Sequence, residues 1–100
     1  MIVMFGDHQG AVETEFYEGL YGKPMNELSA EEADLQYVTP LVIWTNYEME
    51  SGRIEQISAN YLGSLILEMA NLELTPYNRL LLETRQEIPA FGKNGYYLAD

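Results

Sequence analysis

The sequence predicts an α/β fold with few strands and about four helices. Three observations predict it. Two short apolar runs, Ile2–Phe5 and Leu41–Trp44, are rich in β-branched or aromatic residues and read as strands. The longer stretches around them carry apolar residues at three- and four-residue spacing, which reads as helix. One hundred residues, 47% of them hydrophobic and 21% charged, fit a single globular domain spanning 1–100.

The elements follow in order. Residues 2–5 form a buried strand that Gly6 stops. Residues 13–21 read as a short helix with Phe16, Leu20 and Tyr17 on its apolar side, closed by Gly22, Lys23 and Pro24. Ser29 and Glu32 make a capping-box pattern: the hydroxyl bonds the third helical amide while the carboxylate reaches back. Only a short helix can follow, because the residue before Pro40 is pushed away from helical geometry. Leu41–Trp44 reads as a strand with both faces covered.

Ser58 is expected to cap the clearest helix, whose stripe is Leu62, Leu65, Ile66, Met69 and Leu72. Gly63 weakens that helix by up to about 1 kcal/mol relative to alanine unless something packs closely on it. Thr75-Pro76 restarts the chain as N-cap and first helical residue. The second of these helices uses Tyr77, Leu80, Leu81 and Ile88 and ends before Pro89. Residues 91–97 read as loop or a short edge segment. Two strands alone make a marginal sheet, so more strands must come from the tail and loops or from outside this chain.

Charge excludes one large class. Sixteen acidic residues against five basic ones give a net charge of -11. Nucleic-acid binding needs clustered Lys and Arg, whereas Lys23, Arg53, Arg79, Arg85 and Lys93 are scattered. The acids read as a solvated surface. Cysteine is absent, which removes disulfides, thiol nucleophiles and thiolate metal ligands. No apolar run approaches the roughly 20 residues of a membrane span, and the first residues carry no targeting signal.

The chemistry-bearing stretch is Asp7-His8, directly after the first strand; His8 is the single histidine. In a continuing strand these side chains would point to opposite faces and could not share an ion. They converge only if the strand ends at or before Asp7, which Gly6 permits. A carboxylate with an imidazole suits zinc, manganese or iron better than calcium. A polar turn after an apolar run is the simpler explanation of the pair, and two ligands fall short of the three that a catalytic zinc usually takes from protein. Asn46-Tyr47, at the end of the second strand, is expected to line the same crevice.

Nucleophilic catalysis has little support within the chain. Ser29 and Ser58 are explained as caps, Ser64 lies within a helix, and neither a nucleophile elbow nor a phosphate-binding glycine loop occurs. Tyr61 and Tyr77 fall on core faces, and Trp44 reads as packed.

Taken in order, FGDHQ, EFYEGLYGK, TPLVIWTNYE, ISANYLGSLILEMANLELTPYNRLLLE, IPAF and NGYY resemble the C-terminal end of lipoteichoic-acid-synthase-like proteins. These belong to the sulfatase-type branch of the alkaline phosphatase superfamily. The resemblance covers nearly the whole chain. It implies that the chain is the C-terminal part of a larger sulfatase-like catalytic domain. Such proteins are membrane-anchored with an extracellular domain. They use manganese or magnesium and a threonine nucleophile to transfer glycerol phosphate from a phosphatidylglycerol-type lipid, or to hydrolyse a related phosphate or sulfate ester. In the motif FGDH the Asp and His are metal ligands, and they match Asp7 and His8 here.

The family's nucleophile, acidic ligand and substrate-binding histidine lie upstream of that motif, so no catalytic residue is assigned within this chain. It is expected to be inactive alone, with weak or absent metal binding. Its partner would be the rest of the catalytic domain, and its bare strands favour self-association. Gly10 stands where many members carry proline. Two other readings compete: a non-catalytic α/β structural or interaction module, and a tyrosine-rich glycan-binding domain.

Overall fold

The computed structural model describes residues 1–99. Among them are four α-helices and two small antiparallel sheets, a mixed α/β arrangement. The chain divides into two compact units, Met1–Tyr47 and the remainder from Glu48.

In the first unit β1 (Ile2–Phe5) pairs antiparallel with β2 (Leu41–Trp44), Ile2 opposite Trp44 and Phe5 opposite Leu41. Because side chains alternate along a strand, Ile2, Met4, Val42 and Trp44 share one face. That face is not covered: Ile2 is 60% and Trp44 55% exposed. The expectation of a strand with both faces covered, and of a packed Trp44, is therefore corrected. A two-stranded sheet has only one partner strand per edge, and within this unit nothing lies over that side. The pair is closed at one end by Gly6, whose N–H donates to the Pro40 carbonyl (3.1 Å) while the Thr39 hydroxyl donates to the Gly6 carbonyl (2.8 Å).

Between the strands run α1 (Thr14–Tyr21) and α2 (Ala30–Asp34). Gly22 ends α1 in left-handed geometry, φ 73°, where a side chain would be strained. The capping box at Ser29 and Glu32 forms as expected. Lys23 Nζ lies 2.8 Å from a Glu32 carboxylate oxygen, and this bond, joined by the Ser29 backbone N–H, holds the Glu32 carboxyl below its usual range. A 3-10 turn, Leu35–Tyr37, leads to Thr39 and Pro40.

The second unit holds the buried apolar side chains among the described residues, Tyr61, Leu65 and Ala90. Here α3 (Ala59–Met69) packs on α4 (Pro76–Glu87), followed by a hairpin of β3 (Ala90–Gly92) and β4 (Gly95–Tyr97). The tail expected as loop or edge thus pairs with itself and adds no strand to β1–β2. Ser58 occupies the N-cap position of α3, but its hydroxyl donates to Asn60 Oδ1 instead of bonding a helical amide.

The far end of α3 closes with Asn71 at φ 56°, the Leu72 N–H on the Leu67 carbonyl and the Asn71 N–H on the Glu68 carbonyl. That reversal takes Leu72 out of the apolar stripe and leaves it exposed. Thr75 and Asn78 form a capping box at the start of α4, with Pro76 in the first turn. Asn78 Nδ2 also donates to the buried Ser64 hydroxyl, 3.0 Å away on α3. In this arrangement Leu81, Leu82 and Arg85 are half-buried. Tyr77 (66% exposed) and Leu80 are rolled outward, contrary to their expected core placement. Arg85 Nε is buried without an acceptor, although its charge suits the last turn of a helix.

Gly63 faces open space: nothing lies within 4 Å of where a Cβ would stand. Its helix-weakening effect is therefore uncompensated. Gly63→Ala is expected to raise stability by about 0.5–1 kcal/mol in urea unfolding. A loss of stability would mean that a close neighbour exists.

Candidate metal centre

Asp7 and His8 sit where β1 has ended and the chain bends. The strand stops at Phe5, the partner of Leu41, because the next residue on β2's side, Pro40, has no N–H to continue the ladder. Gly6 lies against Thr39, where a Cβ would come within 2.9 Å of Thr39 Cβ. With the strand broken, the two side chains no longer alternate. Asp7 Oδ2 stands 3.5 Å from His8 Nε2.

Each residue has its other polar atom engaged locally. Asp7 Oδ1 accepts the His8 backbone N–H at 2.9 Å, and His8 Nδ1 lies 2.8 Å from the Gln9 carbonyl. The atoms left facing each other are one carboxylate oxygen and one ring nitrogen. Ions with bond lengths of about 2.0–2.2 Å hold adjacent ligand atoms about 3.0–3.5 Å apart in octahedral or tetrahedral geometry. The observed separation is at the upper edge of that span. Both side chains are well exposed, Asp7 85% and His8 77%, so an ion could reach them. Among the described residues no group of three or more His, Cys, Asp or Glu side chains could hold a metal ion. The pair is a two-ligand corner and no closed site.

Gln9 is the residue that sequence reasoning missed. Its Nε2 donates to the carbonyls of Leu35 and Val38, each at 2.8 Å, and its Oε1 lies 3.5 Å from the Tyr17 hydroxyl. Those partners are 26, 29 and 8 residues away, so only the folded chain reveals them.

Asn46-Tyr47 does not join the site, which corrects the expectation of a shared crevice. In the antiparallel pairing the carboxyl end of β1 meets the amino end of β2. Asp7 and Asn46 extend from opposite ends of the sheet, about seven residue steps or on the order of 20 Å apart.

Three of the four serines are held in structural roles: Ser29 caps α2, Ser58 bonds Asn60, and Ser64 accepts from Asn78. Three aromatic side chains of α1 contact one another, with Tyr17 edge-on to Phe16 and stacked on Tyr21 at a centroid distance of 6.4 Å. A shallow groove in the second unit, lined by Glu68, Leu74, Arg79, Leu82, Glu83 and Gln86, mixes both charges and includes neither Asp7 nor His8. No helix among the described residues is long and apolar enough to cross a membrane. Compared with known protein families, curated proteins and solved structures, the chain matches none.

Proposed function

We propose that this chain is the C-terminal part of a sulfatase-type catalytic domain of the lipoteichoic-acid-synthase-like kind, contributing two ligands to a divalent ion. Asp7 and His8 would hold manganese or magnesium, with the remaining ligands and a threonine nucleophile supplied by the rest of the domain. The ion would lower the pKa of the nucleophile hydroxyl and offset charge on the phosphoryl oxygens of a glycerophosphate-type ester at the cell envelope.

The observation that carries the reading is the pairing of Asp7 Oδ2 with His8 Nε2 at 3.5 Å, each residue's other polar atom being held by the backbone. A ligating histidine ordinarily donates its second ring N–H to a carbonyl or carboxylate, and the Gln9 carbonyl is such an acceptor. The bare face of Ile2, Met4, Val42 and Trp44 is compatible with a larger sheet around it, and it equally fits a non-catalytic interaction module.

Paramagnetic broadening separates the two. Substoichiometric Mn²⁺ is expected to broaden the ring signals of His8, the single histidine, before those of the other acidic surface. Asp7→Asn should reduce that broadening at least several-fold. Broadening that ignores Asp7→Asn would leave only diffuse attraction to a chain of net charge -11. The catalytic half of the proposal requires an in-frame coding extension with the threonine nucleophile and membrane spans. A promoter and true start codon at Met1 would remove it.

A further inference from the structure

We propose that Gln9 is a positioning residue, which holds His8 in the Nδ1–H tautomer and thereby presents the Nε2 lone pair beside Asp7. The inference rests on the metal reading above but goes beyond it. An imidazole free in water prefers to carry its proton on Nε2. Here His8 Nδ1 lies 2.8 Å from the Gln9 carbonyl, an acceptor only, so a neutral ring must carry its proton on Nδ1 to make the bond. The competing contact is Nε2 to Asp7 Oδ2 at 3.5 Å, too long for a good hydrogen bond.

The carbonyl can impose this choice because its own residue is immobilised. Gln9 Nε2 has two hydrogens, and both are used, on the Leu35 and Val38 carbonyls at 2.8 Å each. Three residues back, Gly6 is tied to Thr39 and Pro40. Residues 6 and 9 are thus fastened to one continuous stretch, 35–40. Asp7 and His8 are the two residues spanned between the fastenings. A change in the 35–40 stretch would reach the ring nitrogen through Gln9 without touching either ligand.

Long-range ¹H–¹⁵N spectra of the full chain at about pH 9, where an ordinary imidazole is neutral, read the tautomer directly. Wild type is expected to show mainly Nδ1–H. Gln9→Ala keeps the carbonyl but frees its residue from the Leu35 and Val38 carbonyls, so it should return the ring toward Nε2–H and weaken Mn²⁺ broadening of His8, by less than the roughly 10–100-fold of deleting a partner outright. Gln9→Met, which keeps the volume and removes both donors, should give the same result if the smaller side chain disturbs folding. A wild-type ring in the Nε2–H form overturns the proposal, as does an Nδ1–H ring that survives both substitutions. An Nδ1–H ring with manganese broadening indifferent to Asp7→Asn upholds the tautomer assignment and sinks the metal reading instead.

Discussion

Tyr61→Ala is expected to destabilise the second unit by about 3–5 kcal/mol, the range for deleting a large buried aromatic ring. A small domain has only about 5–15 kcal/mol in total, so the loss approaches complete unfolding. Tyr61 is 0% exposed and is the largest fully buried side chain among the described residues. Its ring meets Phe91 edge-on with centroids 5.6 Å apart, tying α3 to β3, and its hydroxyl donates to the Ile88 carbonyl at 2.7 Å. One residue therefore joins the first long helix, the end of α4 and the hairpin. Tyr61→Phe keeps the ring and strands that carbonyl, at a cost of about 1–3 kcal/mol. Urea unfolding followed by the methyl signals of Leu65 and Ala90 separates the two variants. If alanine cost no more than phenylalanine, the ring would not be the organising element.

Gly6→Ala should be the most damaging small substitution in the first unit, at about 1–3 kcal/mol, the cost of forcing a methyl into a packed contact. The new Cβ would lie 2.9 Å from Thr39 Cβ and 3.2 Å from its Cγ2. Thr39 cannot swing aside cheaply, because Cβ is fixed to the backbone and the hydroxyl is committed to the Gly6 carbonyl at 2.8 Å. The same substitution should disperse Asp7 and His8, abolishing selective Mn²⁺ broadening of His8. Gly10→Ala is the control: nothing lies within 4 Å of its Cβ position, so its effect should stay within about 0.5 kcal/mol. Equal effects at the two glycines would refute the close-approach argument.

Signals confined to a few consecutive residues were legible in the sequence. β2, the capping box at Ser29 and the N-cap at Thr75 fall where the residues put them, while the return bond from Asn78 that completes a box at Thr75 does not follow the usual Glu or Gln pattern. The bend after the first strand was only permitted by Gly6, and the approach of Asp7 Oδ2 to His8 Nε2 is seen only in the folded chain. What the sequence hid depends on distant partners. Tyr77 and Leu80 fit the helical period as well as Leu82 does. Which of these residues faces α3 is decided by packing between helices, and the Asn78–Ser64 bond accompanies the orientation that leaves Tyr77 and Leu80 outward. Trp44 and Asn46 were misplaced because neither coverage of a sheet nor the direction of its partner strand is written in a four-residue run. Gln9 looked like any polar residue after a motif, and its role exists only through carbonyls almost thirty positions away.

The Asn78–Ser64 bond bears on how this half of the molecule is assembled in time. Asn78 both starts α4 and latches it to α3, across a separation of only 14 residues. Nucleating a helix is unfavourable by itself, and closing a loop this short occurs in tens of nanoseconds. When one side chain performs both steps, the nucleus of α4 and its docking stop being sequential and become a single event. The helical pair is then expected to supply a local, low-contact-order seed, with the hairpin beyond Pro89 condensing afterwards on a surface that carries Tyr61.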